Sequence, residues 1–135
     1  MAELAIGDTV KAHYRSGSYI GKIIQDRGDK YLVEVLAVLK HPLQGDLHNY
    51  GEHADVFFHE RKALAYREKM NVKKAAVHQY TGDVPAYPES LKLAVDEFRE
   101  KMQAEGTEFS RQALNRLDKL EKNHYHKLYR ASANQ

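Results

Sequence analysis

Over its first forty residues the chain reads as three β-prone runs separated by turns, the first of them alternating apolar and polar positions with the period of a half-buried strand. In residues 9–14, Val10, Ala12 and Tyr14 alternate with polar neighbours. Arg15-Ser16-Gly17-Ser18 interrupts the pattern as a turn, and residues 19–25 follow as the second run, with Gly21 marking a sharp bend or a close backbone approach. After a second turn at Asp26-Arg27-Gly28-Asp29 comes the longest β-prone run, residues 31–39. There Leu32, Val33, Val35, Leu36, Val38 and Leu39 leave only Glu34 and Lys40 clearly polar. Beyond residue 88 the period lengthens to that of a helix: Leu91, Val95, Phe98 and Met102 recur along one face. Gly106 ends this helix and Thr107 is placed to cap the next. That second helix sets Ala113, Leu117, Leu120 and Leu128 on one side, with Leu114 and His124 beside them.

Between strand-like and helix-like halves lies a less regular centre. The long strand breaks at His41-Pro42. A polar connection with Gly45, Asp46, His48, Gly51, His53 and Asp55 then leads to an apolar Val56-Phe57-Phe58. At about fifteen residues it is too long for a hairpin turn and reads as a functional or Ω-type loop. Residues 55–58 are expected to supply a short strand. Residues 63–70 favour helix by propensity but are expected as strand, because a barrel needs a partner for its edge. Residues 72–80 have room for a single helical turn. The opening Gly7-Asp8-Thr9-Val10, the following Gly17-Ser18-Tyr19-Ile20-Gly21-Lys22-Ile23 and the long strand fit a small antiparallel, SH3-like barrel. The expected organisation is such a barrel over residues 1–80, a Pro- and Gly-bearing linker over 81–88, and a C-terminal helical hairpin over 89–131 packed on the barrel.

Composition changes this picture mainly by exclusion. The 135 residues carry 21 basic and 19 acidic side chains, a net charge of +2, which gives no basic stripe for nucleic acid. There is no cysteine, so disulfides, thiolate metal sites, cysteine nucleophiles and thioether lipidation have no residue to use. The N-terminus lacks a basic stretch followed by an apolar one, and no apolar run is long enough to span a bilayer. A cytoplasmic protein without direct membrane insertion is expected.

Candidate chemistry is sparse. His41, His48, His53 and His59, with Asp46, Asp55 and Glu60, are suitable zinc or iron ligands, but no pair falls on a ligand spacing. Loop-satisfying or solvent-facing roles outweigh a metal site, and no cofactor is expected. No serine has a nucleophile-elbow context, no glycine-rich phosphate loop exists, and Asp96, Glu97 and Glu100 fall on the solvent side of a helix. Nine tyrosines offer stacking faces, so a barrel that binds RNA or ribosomes is the alternative to a protein-binding module.

HPLQGDLH from His41 and the following ADVFFHERKALAYRE resemble the Bacillus-type kinase-associated protein B family, as do VKAHYRSGSYIGKI and YLVEVLAVLKHP upstream. The resemblance runs through the linker into the helices. It implies an SH3-like barrel with C-terminal helices, and a non-enzymatic accessory that supports a membrane sensor histidine kinase in the sporulation phosphorelay. It brings no catalytic residues. Members are often called lipoproteins, yet this chain offers no cysteine, so a location at the inner membrane face would come through the kinase. The central connection is the expected partner-binding segment, through Asp46, His48, Asn49, His53 and His59. The bland alternative is that it caps one end of the barrel. Oligomeric state is left open.

Overall fold

The computed structural model describes residues 4–44 and 60–133. Five strands, β1 (Thr9–Tyr14), β2 (Gly17–Asp26), β3 (Lys30–Lys40), β4 (Lys69–Lys73) and β5 (Val77–Gln79), form one antiparallel sheet in the order β4-β3-β2-β1-β5. Opposite edges of the sheet are thus consecutive in sequence, joined by a single 3-10 turn, Lys74–Ala76. The chain from Lys73 to Val77 can span at most about 14 Å, whereas five strands laid flat would set their outer members about 19 Å apart. The sheet must therefore curl until its edges approach. The result is barrel-like, though β4 and β5 are not hydrogen-bonded neighbours.

Irregularities in the β2–β3 ladder produce that curl. The register shifts between Ser18 and Tyr19, between Ile20 and Gly21, and between Ile23 and Gln25, and each bulge bends and twists its strand. Gly21 answers the expectation of a close approach: a Cβ there would lie 2.7 Å from the carbonyl oxygen of Glu34.

Three helices follow: α1 (Tyr87–Glu105), α2 (Glu108–Leu120) and α3 (His126–Ala133), the last two joined by one π-helical turn, Glu121–Tyr125. Gly106 ends α1 in the left-handed conformation, φ 64°, which glycine reaches without steric cost. Thr107 caps α2 reciprocally with Ser110: the Ser110 amide donates to Thr107 Oγ1 at 3.0 Å, and the Thr107 amide donates to Ser110 Oγ at 2.8 Å. Leu91, Val95, Phe98 and Met102 are all buried, as their spacing predicts. They share one core with Val10, Tyr19, Val33 and Val72 of the strands and with Leu117 and Leu120 of α2. Helix α1 covers the part of β3 that β4 does not reach. There the Val38 amide donates to Ser90 Oγ at 2.9 Å, which satisfies a strand edge with a helix side chain.

Two expectations are corrected. Of the strand expected over residues 63–70 only Lys69 and Met70 belong to one: residues 63–65 run outside any ladder to a turn at Tyr66 and Arg67, and β4 begins at Lys69. Side chains take the donors a ladder would have used. The Ala63 amide donates to Tyr125 Oη, that of Leu64 to Tyr19 Oη, and that of Ala65 to Glu68 Oε1. His124 does not flank the apolar stripe but is exposed, while Tyr125 is fully buried. The π turn adds a residue to the helical period, so the inward position after Leu120 falls one place later than regular spacing predicts. The single turn expected within 72–80 is the 3-10 turn, and the strand expected at 55–58 lies outside the described residues.

Candidate partner-binding surface

The central connection is held where it leaves and rejoins the described chain. At its start Gln44 is buried, and its carboxamide meets the backbone of Arg61 as a strand neighbour would. Nε2 donates to the Arg61 carbonyl at 2.8 Å, and Oε1 accepts from the Arg61 amide at 2.8 Å. Nε2 also donates to the Pro42 carbonyl at 3.1 Å. One side chain thus closes the base of the loop with paired hydrogen bonds.

A second tie runs through His41, which is 1% exposed. Its Nδ1 lies 2.8 Å from the Pro42 carbonyl and its Nε2 lies 2.8 Å from Tyr125 Oη. A carbonyl only accepts, so Nδ1 carries the proton and donates. Nε2 is then the acceptor, and the Tyr125 hydroxyl donates to it while accepting the Ala63 amide at 3.0 Å. Every member of this chain has a partner, and the imidazole is neutral. Burial pushes its pKa down to about 4, against the smaller opposing effect of the Pro42 carbonyl. Burial likewise raises the Tyr125 hydroxyl and the Tyr87 hydroxyl well above the usual phenol range. Tyr87 donates to the Leu64 carbonyl at 2.5 Å, so three tyrosines, Tyr19, Tyr87 and Tyr125, fasten residues 63–64 from two sides of the core. These hydroxyls hold structure by satisfying backbone groups of residues 63–64.

Depressions open on the described surface, and two of them adjoin the sheet and the helices. A cleft of about 310 Å³ lies beside the loop base, between the end of β3 and α1, lined by Leu39, Lys40, Leu43, Phe98 and Lys101 among others. A larger groove of about 670 Å³ runs past Leu36, Tyr66, Val84, Pro85, Tyr87 and Leu128. Tyr66 stands at its rim, 55% exposed. Its turn is anchored on β3: the Arg67 amide donates to the Val35 carbonyl at 2.7 Å, and the Val35 amide donates to the Glu68 carbonyl at 2.9 Å. Arg67 takes φ 68° to make this possible.

The expected partner-binding residues Asp46, His48, Asn49, His53 and His59 lie outside the described residues. What the pattern missed is the base that carries their segment. His41 was grouped with the loop histidines, Gln44 drew no reading, and Tyr125 stood one place off the apolar stripe. A buried glutamine or histidine has no periodic signature, and a π turn is invisible to a period of 3.6. Among the described residues no helix is long and apolar enough to cross a membrane.

Comparison with known proteins agrees over almost the whole length. The kinase associated protein B family profile matches residues 14–125. Kinase-associated lipoprotein B of Bacillus subtilis (strain 168) is 47% identical over 128 residues, covering 94% of this chain and 99% of the relative. The crystal structure of kinase-associated protein B from Bacillus cereus superimposes with a TM-score of 0.77 at 36% identity, covering 90% of this chain and 98% of the other. On sequence, length and fold together, this chain belongs to the kinase-associated protein B family.

Proposed function

We propose that this protein is a non-catalytic accessory of a membrane sensor histidine kinase, one that supports the kinase in passing phosphate into the sporulation phosphorelay. The observation that carries the reading is the near full-length match to proteins named for kinase association. The interior adds to it: among the described residues no buried side-chain polar atom lacks a partner, as in a module built to present a surface. In this reading the barrel of residues 1–80 presents the central segment, the linker 81–88 leads to the helical hairpin of 89–131, and the hairpin braces the segment's base. Asp46, His48, Asn49, His53 and His59 form the kinase-facing surface, supported by the ties at Gln44 and His41. The protein works in the cytoplasm at the inner membrane face. The Bacillus subtilis relative is named a lipoprotein; this sequence has no cysteine to lipidate, so the kinase supplies the membrane location.

The test is capture of the histidine kinase from solubilised membranes of sporulating cells, followed by phosphotransfer with and without the protein. Retention of the kinase and faster phosphotransfer are expected. Asn49→Ala and His53→Ala should lose capture while keeping wild-type unfolding midpoints. Failure to retain a histidine kinase, together with a salt-dependent shift of single-stranded RNA, would replace this reading with the RNA-binding one.

A further inference from the structure

The outer face of the sheet carries a row of cationic and titratable side chains that the register alone brings together. His13 on β1 pairs with Ser18 on β2, and Ser18 pairs with Lys40 on β3. Lys11, two residues from His13, pairs with His78 on β5. Cross-strand partners and i, i+2 neighbours share a face, so Lys11, His13, Lys40 and His78 stand on one side, across four strands. The distances agree. The His13 and His78 rings are 5.8 Å apart, edge to face, and His13 Nδ1 lies 2.8 Å from Ser18 Oγ. Lys11, His13, Lys40 and His78 are all exposed.

No carboxylate answers these charges among the described residues. The ion pairs engage Arg67, Lys74, Lys92, Arg99 and Arg111, and none engages Lys11, Lys40 or either histidine. The field at His13 records the same imbalance. Its pKa is lowered by partial burial and then by Lys11, His78 and Lys40. Like charges directly across a ladder are unfavourable, and a negatively charged partner would relieve that cost.

We propose that this face of β1, β2, β3 and β5 docks an acidic, Asp/Glu-rich segment of a partner protein, with Lys11, Lys40, His13 and His78 as the side chains that meet it. A protein segment fits better than nucleic acid. Four groups make too short a stripe to track a phosphate backbone, and the row holds no tyrosine on which a base could stack. Binding is linked to protons. Carboxylates beside His13 favour its charged form, so the complex takes up a proton and tightens as the pH falls through the histidine range. The inference stands apart from the kinase reading, because it is tested with a peptide.

The experiment is titration of the full chain with a short labelled peptide of alternating Glu and Ser. Affinity should fall with added salt and rise between about pH 8 and about pH 6. Lys11→Glu combined with Lys40→Glu should weaken binding about tenfold or more, with the unfolding midpoint retained. His13→Gln should leave binding at about pH 8 intact and flatten the pH profile. The proposal is overturned by any of three results. These are no binding of the peptide, binding indifferent to the lysine reversals, or stronger binding of a single-stranded oligoribonucleotide of equal charge through the same lysines.

Discussion

Two histidines among the described residues have lowered pKa values, and they sit in opposite kinds of place. His41 is buried at the base of the central connection, where the Pro42 carbonyl and the Tyr125 hydroxyl occupy both ring nitrogens. His13 is exposed on the sheet, hydrogen-bonded to Ser18 and surrounded by positive groups. The first is disfavoured as a cation chiefly by loss of water, and its partners complete it. The second has a hydroxyl partner but no counter-charge among the described residues. A closed network of the first kind fixes a shape, whereas an unbalanced one is a place where binding can gain energy.

The largest way to break the interior side of this comparison is to empty the seam between barrel and helices. Phe98 is buried in the core, and its ring centroid lies 5.5 Å from that of His41. Phe98→Ala should cost about 3–5 kcal/mol in equilibrium urea unfolding. A cost below about half a kcal/mol would mean that the seam contributes little to holding the helices on the sheet.

Acid should act through His41 with a defined sign. The unfolded chain binds a proton near the ordinary imidazole value of 6.5, while the folded imidazole resists protonation until about 4. Between those values the unfolded state holds the extra proton, so this contribution is complete above pH 6.5 and is lost as pH falls toward 4. The full effect is up to roughly 3 kcal/mol. Urea midpoints measured across that range should fall steeply for the native protein and less steeply for His41→Gln. Parallel curves would show that His41 is not buried neutral.

The contrast between the two regions also explains what could be read from sequence. Period-two alternation located β1, turn signals and a long β-prone apolar run located β2 and β3, and the 3.6 period located α1, because each of these is decided within the element and its flanks. Gly106 and Thr107 were legible because left-handed backbone and amide capping select those residue types. The stretch from Ala63 to Ala65 was misread because its amides are answered by Tyr125, Tyr19 and Glu68, partners distant or turn-borne that no local window contains. His78 could not be joined to His13 without knowing that β5 pairs with β1 across a curled sheet. Local chemistry is therefore legible where one element decides it, and hidden where several meet.

Tyr125→Phe sharpens the comparison without emptying space. The hydroxyl is the only group removed, yet the Ala63 amide and His41 Nε2 both lose a buried partner. A cost of about 1–3 kcal/mol is expected. Amide hydrogen exchange at Ala63 should quicken more than at β1 or β2, because the variant loosens the loop base in particular. A change that is uniform along the chain would mean that the tie acts only through global stability.

The smallest expected effect on stability falls on the outer row, and its sign is the informative part. Lys11 stands opposite His78 and acts on His13 as a like charge. Lys11→Glu replaces that repulsion with attraction at an exposed strand position. Exposed charge pairs contribute little, so the unfolding midpoint should stay equal or rise, within about half a kcal/mol. The new carboxylate should raise the His13 pKa, which NMR titration of its ring protons would report directly. If Lys11→Glu instead destabilises the fold by more than about 1 kcal/mol, the lysine packs as a structural element of the sheet. If the His13 titration does not move, the two side chains do not share the face that their register assigns. An upward shift at unchanged stability would establish that the positive field is a surface property, separable from the fold and available to a partner.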